Sequence, residues 1–382
     1  MDMNITEITT YKVGGIYTHV TELVKRIEAN SIIITGNTKE SGCQKEDGFN
    51  YFHIPALVSI WDIFFINLPF RYKKIEEIHK KNDIDLIHLH GPMFTFCNEV
   101  IHKTRLPTIM TTHYVLDFRG NRILEFFYKL VIKWVTLSTS RSVDKMVCIN
   151  EDYIHIYVGW GVDPDKLVYI PNGIDSEKFS PGISGIKQVL GCEHLLIFWG
   201  RLSYQKNIKV LIEAFKQIET PHTKLAIVGE GPDIRKLKHL VGTNENVIFT
   251  GYLSDDELLE YARGSDIAVL PSRAESWGLV VGEAMACELP VITSDVGKAR
   301  ELLGDGRGII LEAETSAEIA RHIDHLLNNK EVAEDMGRRS RKFVVENYGW
   351  DEVARQTEEL YRTLIGKADP DINGKYMGLK RI

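Results

Sequence analysis

Segments with strand-like and helix-like patterns alternate along almost the whole of this 382-residue chain. Apolar runs that are typical of buried strands occupy residues 3–11, 84–91, 108–113, 145–151 and 166–174. The stretch after the first run carries apolar residues at helical spacing, namely Ile16, Val20, Leu23, Val24 and Ile27. Such alternation predicts parallel sheets covered by helices on both faces, so the expected fold class is α/β.

The length is sufficient for two domains that each bury a full core. A turn-rich stretch with two prolines and three glycines spans residues 171–185. We therefore expect a first domain over residues 1–172 and a second over residues 173–350. The segment 366–382 has no periodicity, and we expect it to be a mobile tail.

The composition is that of an ordinary folded protein, with 44% hydrophobic and 26% charged residues. A net charge of −7 and the lack of a long basic block argue against nucleic acid as a partner. The five cysteines are scattered and form no Cys-x-x-Cys pair, which argues against a disulfide framework and a zinc site. We recognise no signal peptide, since Asp2 and Glu7 bracket the first strand, and expect a cytoplasmic protein.

One segment leaves contact with a membrane surface open. Residues 119–141 combine four aromatic side chains with five basic ones. A basic amphipathic helix of this kind can lie on an anionic lipid surface. More often such a helix packs its apolar side on a sheet, so both interpretations stay open.

Two carboxylates flank the point at which a loop becomes a helix late in the chain. An apolar strand within residues 264–272 ends at Pro271, Glu275 follows it, and Glu283 lies about one turn inside the next helix. Parallel sheets bind ligands at the carboxyl ends of their strands. Because an ionised carboxylate only accepts hydrogen bonds, the pair suits a hydroxyl-rich ligand such as a sugar. The alternative is a helix cap at Glu275 and a solvated charge at Glu283.

The same strand–loop–helix arrangement occurs about 70 residues earlier, over residues 195–208, and carries Arg201 and Lys206. A guanidinium can grip two phosphate oxygens at once, and an ammonium acts as a movable point charge. The free amides of a nearby helix start add their dipole. The two cations therefore indicate a diphosphate site, although each of them alone would be interpreted as a surface charge.

The set Arg201, Lys206, Glu275 and Glu283 resembles the retaining glycosyltransferases with two Rossmann-like domains (the GT-B type), and most of all the group 1, or GT4-like, family. Other matching pieces follow in chain order: KVGGIYTHVTELVKRI, DIDLIHLHGP, TIMTTHY, VYIPNGIDSEKFSP, LAIVGEGPD and NVIFTGYLSDDELLEYARGSDIAVLPSRAESWG. They cover roughly residues 3–365 and are specific as an ordered set. The resemblance implies two doubly wound domains facing a cleft, with a helix at about 351–365 packed back on the first domain.

The resemblance also implies roles for individual residues. The residues expected to act in catalysis are Glu275, His113, Arg201 and Lys206. The residues expected to bind the donor are Gly14, Gly15, Arg201, Lys206, Tyr252, Leu253, Glu275, Gly278, Leu279 and Glu283. His113 would position the donor sugar, Glu275 would orient it through its hydroxyls, and Glu283 would hold ribose hydroxyls. A satisfied core histidine is the alternative for His113, and an ordinary turn is the alternative for Gly14 and Gly15.

No metal or cofactor is expected besides the donor itself. His88, His90 and His113 could suggest a metal, but no carboxylate or cysteine has companion spacing. The glycines at 229 and 231 might suggest a dinucleotide fingerprint, but Ile234 occupies the place of its third glycine.

Several positions depart from the family pattern, and two of these departures bear on the substrates. Ser276-Trp277 stand where Gly-Phe is commoner, a change that would narrow the sugar pocket. Lys298 follows Gly297 where a second glycine is usual, and an anionic group on the acceptor is one of the possible reasons, so the charge of the acceptor stays open.

The sequence thus predicts metal-independent transfer of a sugar from a nucleoside diphosphate donor to an acceptor hydroxyl, with retention at the anomeric carbon. A glycan, a lipid-linked molecule or a small molecule could serve as the acceptor. A GT-B-like nucleotide-sugar epimerase would share the fold and the diphosphate site, but would need an acid–base pair around the sugar. A non-catalytic sugar- or lipid-binding protein is the other alternative, which the complete set of two cations and two acids argues against.

Overall fold

A computed structural model of the chain describes residues 3–9, 15–35, 42–46, 48–53, 58–60, 64–66, 71–91, 96–113 and 122–366. Gly14, the start of the basic aromatic segment and all but the first residue of the expected tail lie outside these ranges. The described chain divides into two compact units. The first holds residues 3–173 and 350–366, and the second holds residues 174–349.

Sixteen strands lie within the described residues. They are β1 (Met3–Thr9), β2 (Ala29–Thr35), β3 (Gly42–Glu46), β4 (Phe49–His53), β5 (Val58–Ile60), β6 (Phe64–Ile66), β7 (Leu86–His90), β8 (Thr108–Thr112), β9 (Lys145–Cys148), β10 (Leu167–Tyr169), β11 (His194–Trp199), β12 (Thr223–Val228), β13 (Val247–Gly251), β14 (Ile267–Leu270), β15 (Val291–Ser294) and β16 (Ile309–Leu311).

Fourteen helices accompany the strands in the same described residues. They are α1 (Gly15–Arg26), α2 (Arg71–Lys81), α3 (Phe96–Lys103), α4 (Arg122–Ser140), α5 (Asp152–Trp160), α6 (Ile186–Leu190), α7 (Ile208–Phe215), α8 (Ile234–Val241), α9 (Asp255–Gly264), α10 (Leu279–Ala286), α11 (Ala299–Leu303), α12 (Ser316–Asn328), α13 (Lys330–Asn347) and α14 (Trp350–Leu364). Short 3-10 turns lie at Pro164–Lys166 and Tyr204–Lys206.

The first unit is built on an eight-stranded sheet in the order β10-β9-β8-β7-β1-β2-β4-β3. Its neighbouring strands are parallel except β3, which runs antiparallel to β4. Strands β1 and β7 lie side by side in the middle, although five other strands separate them in the chain. The direction of winding therefore reverses between β1 and β7, and ligands of such sheets bind at the carboxyl ends of the strands at this point. Strands β5 and β6 form a separate antiparallel pair.

The last helix of the described residues, α14, completes the core of the first unit. Its buried residues recur at helical spacing and include Trp350, Val353, Leu360 and Tyr361. These side chains belong to one apolar cluster with β1 and β7 residues such as Ile5 and with Leu23 of α1. A period of 3.6 residues gives α14 one apolar face, and that face covers the sheet.

The second unit is built on a six-stranded parallel sheet in the order β13-β12-β11-β14-β15-β16. Strand β11 comes first in this part of the chain, yet it lies in the middle, with β12 on one side and β14 on the other. The winding thus reverses between β11 and β14. The predicted α/β class and the two doubly wound parallel sheets are confirmed.

Strand β10 ends earlier than its apolar pattern predicts, at Tyr169 rather than residue 174. Pro171 has no N–H with which to continue the ladder. Ile174 forms a bridge with Gly349 instead. The start of this apolar run therefore pairs with β9, whereas its end pairs with Gly349.

Three loops at the carboxyl edge of the second sheet are joined through their backbones. The Gly200 N–H donates to Val228 (3.1 Å), Leu202 N–H donates to Glu230 (2.8 Å), and Gly229 N–H donates to Gly251 (2.8 Å). Gly229 has φ +122°, and a Cβ at this position would lie 2.1 Å from the Gly200 carbonyl oxygen. Only glycine combines this left-handed backbone with so close an approach.

Replacing Gly229 with alanine should therefore destabilise the second unit more than replacing a glycine that has a left-handed backbone but open space around its Cβ position. Gly191→Ala is a matched control, because Gly191 has φ +65° and open space around its Cβ position. We expect Gly229→Ala to cost about 1–3 kcal/mol more than Gly191→Ala, from the added overpacking. Urea unfolding of the two variants measures the difference. Equal losses would show that the loops separate without cost.

Candidate functional site

The reversal point of the second sheet brings together two of the predicted site residues. Lys206 ends the 3-10 turn that follows β11, and Glu275 lies on the loop that follows β14. The Lys206 Nζ atom is 2.5 Å from Glu275 Oε1, and each side chain is 19% exposed. Both residues line a pocket together with Ser272 and Gly278. A cation and a carboxylate thus share one partly buried position at the ligand-binding edge.

The two loops that carry this ion pair are held against each other by neighbouring residues. Gln205 donates from its side chain to the Ala274 carbonyl (2.9 Å), and Arg273 donates from its backbone to the Gln205 carbonyl (2.7 Å). The Arg273 guanidinium donates to Asn207 Oδ1 (2.7 Å) and lies 4.7 Å from the centre of the Tyr204 ring. These contacts fix both backbones before any ligand binds.

Glu283 lies on α10, where Trp199 at the end of β11 donates its indole N–H to Glu283 Oε2 (3.0 Å). Burial raises the pKa of Glu283 above its usual range, and this hydrogen bond acts in the opposite direction. Gly282 lets helix α10 pack closely against Ile174, because a Cβ on Gly282 would lie 2.5 Å from Ile174 Cδ1. Our sequence reasoning did not include Trp199. Its only signal is an indole at the end of a strand that leads directly to Arg201.

The remaining residues predicted for this edge lie at the loop positions expected of them. Arg201 lies two residues after the end of β11 and is exposed. Tyr252 and Leu253 follow β13, and the Tyr252 side chain is 80% exposed. Gly278 caps α10 with φ +102°, and Leu279 is the first residue of that helix. Backbone amides at this helix start point out of the first turn, where an anion can accept their hydrogen bonds.

The two departures from the family pattern have internal partners. Trp277 is 1% exposed and packs edge-on against the Tyr348 ring, 5.3 Å away. It therefore belongs to the core, and the expectation that its ring narrows a sugar pocket is wrong. Lys298 is 4% exposed and forms an ion pair with Glu301, which also accepts a hydrogen bond from Tyr348. This pairing accounts for the Lys298 charge without an anionic acceptor.

In the first unit, His113 follows β8 and belongs to a cluster of four histidines. The ring centroid of His19, from α1, lies 4.9 Å from that of His113 and 5.4 Å from that of His90. The rings of His88 and His90, both in β7, are 4.0 Å apart. Of the two glycines predicted here, Gly15 is the first residue of α1 and Gly14 lies outside the described residues.

A buried carboxylate, Glu7 of β1, holds the histidine cluster together. Glu7 Oε2 is 2.7 Å from His90 Nε2, and Glu7 Oε1 accepts a hydrogen bond from the Tyr361 hydroxyl (2.8 Å). His88 lies between the Tyr361 hydroxyl (2.5 Å) and Thr111 Oγ1 (2.7 Å). Sequence reasoning found no carboxylate with companion spacing to these histidines. The reason is that parallel pairing, not spacing along the chain, places β1 beside β7.

Burial keeps this cluster close to neutral. It lowers the pKa values of His19 and His90 to about 3, and those of His88 and His113 well below the usual range. It raises the pKa of Glu7 to about 8. A charged imidazole or carboxylate at this buried position would lose its hydration. Its neutral neighbours would replace only part of the stabilisation that water gives.

Two groups of ligand atoms in this cluster lie within 4.8 Å of one another, as a metal site requires: His19, His90 and His113, and Glu7, His88 and His90. Ring nitrogens of all four histidines already have protein partners. His19 Nδ1, for example, lies 2.7 Å from Asn172 Oδ1, and His90 Nδ1 lies 3.4 Å from His113 Nε2. Hydrogen bonds thus account for the arrangement as it stands.

Helix α4 has two apolar sides. Ile132 and Val135 are buried in the core of the first unit. Phe126, Phe127 and Trp134 are 60%, 58% and 64% exposed. Helix α4 thus packs on the sheet and also presents an apolar surface to solvent. Among the helices described, none is long and apolar enough to span a bilayer.

Two family models match the chain. The model described as glycosyl transferases group 1 matches residues 187–343, and the model described as glycosyltransferase family 4 matches residues 13–178. An uncharacterized glycosyltransferase of Methanocaldococcus jannaschii is 30% identical over 311 residues, which are 75% of this chain and 79% of that protein.

More distant relatives and structures are similar over nearly the whole chain. The GPI3 subunit of phosphatidylinositol N-acetylglucosaminyltransferase from Saccharomyces cerevisiae is 22% identical over 380 residues, covering 94% of this chain and 82% of that protein. The crystal structure of Anabaena HepE in complex with UDP and glucose has a TM-score of 0.78 at 18% identity, covering 95% of this chain and 100% of that one. At this identity the structural likeness shows the fold.

The histidine cluster should make the protein sensitive to acid. Histidines with a lowered folded pKa stabilise the fold fully above their unfolded value of about 6.5, and this stability is lost as the pH falls. Glu7, with its raised pKa, acts in the opposite direction, since its contribution is present below about 4.5 and lost as the pH rises through about 8. Four histidines outweigh one carboxyl, so the free energy of unfolding should drop between about pH 6.5 and pH 5.

His88→Gln should reduce the slope of the free energy of unfolding against pH by up to about 1.4 kcal/mol per pH unit, which corresponds to one proton. His325→Gln, at an exposed position in α12, is the control. Urea unfolding followed by tryptophan fluorescence at several pH values gives the slopes. A His88→Gln slope equal to that of the control would contradict the assignment.

Proposed function

The chain belongs to the group 1 glycosyltransferases, and on that premise we propose that it transfers a sugar from a nucleoside diphosphate donor to an acceptor hydroxyl, with retention of anomeric configuration and without a metal. The observation that carries the proposal is the Lys206–Glu275 pair at the reversal point of the second sheet. It supplies a cation for a phosphate and a carboxylate for sugar hydroxyls within one site.

Breaking the bond between sugar and diphosphate leaves negative charge on the phosphate oxygens. In this proposal, Arg201 and Lys206 stabilise that charge, with help from the amides of Gly278 and Leu279 at the start of α10. Each charge-assisted hydrogen bond contributes about 1.5–3 kcal/mol, whereas a helix terminus contributes at most about 2. The two cations therefore take the part that a metal ion plays in other transferases.

The two acids bind the hydroxyl groups at either end of the diphosphate. Glu275 orients the donor sugar, and its contact with Lys206 keeps that cation in place when no donor is bound. Glu283 accepts hydrogen bonds from ribose hydroxyls. The Trp199 indole supports this role, because it occupies one carboxylate oxygen and fixes the direction of the other.

The other proposed contacts follow from the family resemblance. His113 positions the donor sugar from the first unit. The loop of Gly14 and Gly15 contributes to the donor side, and Tyr252 and Leu253 lie beside the base. The leaving phosphate takes the acceptor proton, so no side-chain nucleophile is assigned.

Loss of Arg201 should affect turnover rather than folding, because the residue is exposed. We expect Arg201→Ala to lower turnover by roughly 10²–10³, the scale for removing one preorganised charge stabiliser. Arg235→Ala, an exposed arginine on the neighbouring helix α8, should leave turnover within a few-fold. The assay uses UDP-glucose first, since HepE is the structural neighbour solved with UDP and glucose, and then GDP- and ADP-sugars.

Three outcomes would contradict the proposal. Turnover of Arg201→Ala within a few-fold of the parent at saturating donor would remove the charge-stabilising role. Conversion of the sugar nucleotide in the absence of any acceptor would identify an epimerase instead. Lack of donor binding by calorimetry would favour a non-catalytic binding protein.

We also propose that the protein works on the cytoplasmic face of a membrane, with α4 on the lipid surface and a lipid-linked acceptor within reach. The exposed Phe126, Phe127 and Trp134 offer apolar contact, and Lys129 on the same exposed side suits anionic headgroups. The yeast relative's name refers to a lipid acceptor, phosphatidylinositol. Glycan and small-molecule acceptors remain to be compared in the same assay.

Binding to lipid should therefore depend on the exposed side of α4. The double variant Phe126→Ser, Trp134→Ser should bind vesicles of phosphatidylcholine and phosphatidylserine about tenfold or more weakly, since each buried aromatic contributes up to about 1.5–3 kcal/mol. The control is Val332→Ser, Val345→Ser, which removes exposed apolar side chains from α13. Equal sedimentation of all three proteins with the vesicles would refute the contact.

A further inference from the structure

We propose that Glu7 and His90 are positioning residues that determine which ring nitrogen of His113 carries the proton, so that His113 offers a hydrogen-bond donor from Nδ1 at neutral pH. The inference deepens the proposed function, because its catalytic consequence rests on the assignment of His113 to the donor sugar. Its structural part concerns the first unit alone.

The three residues form a continuous chain of polar contacts. Glu7 Oε2 lies 2.7 Å from His90 Nε2, and His90 Nδ1 lies 3.4 Å from His113 Nε2. A neutral imidazole has one N–H and one acceptor nitrogen. The proton on His90 therefore decides the direction of both contacts. If Glu7 donates to His90, then His90 donates to His113, and the proton of His113 is left on Nδ1.

The other contacts of Glu7 do not change with its protonation state. The Tyr361 hydroxyl donates to Glu7 Oε1 (2.8 Å), so its oxygen accepts the Nδ1–H of His88 (2.5 Å). His88 Nε2 is then an acceptor for the Thr111 hydroxyl (2.7 Å). This assignment satisfies every group on that side whether or not Glu7 is ionised. It leaves the proton of a neutral Glu7 on Oε2, which lies 2.7 Å from His90 Nε2.

The surroundings of Glu7 favour its neutral form. The groups that face it are His88, His90 and Tyr361, which come from β7 and α14. Both imidazoles are neutral near pH 7 because burial lowers their pKa values, so neither supplies the positive charge that would ionise a buried acid. Burial accordingly raises the pKa of Glu7 to about 8.

His19, which also contacts the His113 ring, does not compete with His90 for His113 Nε2. His19 approaches the His113 ring edge-on, with 4.9 Å between centroids, and its Nδ1 lies 2.7 Å from Asn172 Oδ1. An amide oxygen only accepts, so His19 keeps its proton on Nδ1. Trp350 covers the opposite edge of His19, at 5.3 Å. His90 is thus the group that sets the tautomer of His113.

The proposal can be tested on the full-length protein by NMR with ¹⁵N-labelled histidine. Two-bond proton–nitrogen correlations distinguish Nδ1–H from Nε2–H rings, and His113→Gln and His90→Gln assign the signals. We expect Nδ1–H for both rings at about pH 7, and a change of both to Nε2–H with a midpoint near 8, the pKa of Glu7. An Nε2–H form of His113 at neutral pH, or no change up to about pH 9, would overturn the proposal.

We call the contacts from Glu7 through His90 to His113 the relay. Glu7→Gln and Tyr361→Phe distinguish its effect from a general effect on packing. The glutamine amide donates to His90 as neutral Glu7 does but cannot ionise, so His113 should stay Nδ1–H across the pH range. Tyr361→Phe keeps the contacts through His90 but removes the hydrogen bond that lowers the pKa of Glu7, so the transition should persist and move to higher pH. If either variant fails to fold, the wild-type pH series still decides. A transition that survives in folded Glu7→Gln would refute the role of Glu7.

Donor binding gives a second, separate measurement. The donor dissociation constant should rise above about pH 8 in the wild type and remain flat in Glu7→Gln. If the NMR transition occurs but the binding of the donor ignores it, the relay stands and the assignment of His113 to the sugar fails. If the NMR transition is absent while Arg201→Ala still lowers turnover by roughly 10²–10³, the relay fails and the proposed function stands.

Discussion

The reversal of strand order in each sheet is the constraint on which the rest of the structure depends. Where β11 and β14 lie side by side, their loops leave in opposite directions and open a gap at the carboxyl edge. The Lys206–Glu275 ion pair lies across that gap, and a hydrogen bond from the Arg273 backbone to the Gln205 carbonyl joins the same two loops. In the first sheet, the same reversal between β1 and β7 places Glu7 beside His90. Both candidate clusters are therefore consequences of topology before they are consequences of side-chain chemistry.

The energetic demands of the two clusters are different. Lys206 and Glu275 are partly exposed, so either one can exchange its partner for a ligand with little loss of hydration. Glu7 and His88 are fully enclosed, and every polar atom lost from their network would leave another without a partner. One cluster is suited to binding and release. The other is suited to holding a fixed arrangement of protons beside a single ring, that of His113, which is only partly buried.

Much of the fold could be predicted from the sequence, because period-2 and period-3.6 patterns depend on local spacing. The strand ends also located Lys206, Glu275 and Glu283 correctly relative to their elements. Contacts that join distant segments could not be predicted in this way. From the sequence, Trp199 is one more apolar strand residue, and its contact with Glu283 of α10 is not predictable. Trp277 suggests a pocket residue, but Tyr348, which follows α13, packs against it. Glu7 had a weak signal, a lone carboxylate in an apolar strand, but its partners come from β7 and α14.

The place of α14 has a consequence for synthesis on the ribosome. Residues 174–349 form a complete sheet with its own helices, whereas the first sheet lacks one covering layer until residues 350–364 have been made. Tyr361, whose hydroxyl donates a hydrogen bond to Glu7, lies in α14 and is made only after the whole second unit. Ile5 and its neighbours in the first unit therefore lack their α14 cover until the second unit has been made, so the two units can complete their cores in the reverse of their order along the chain.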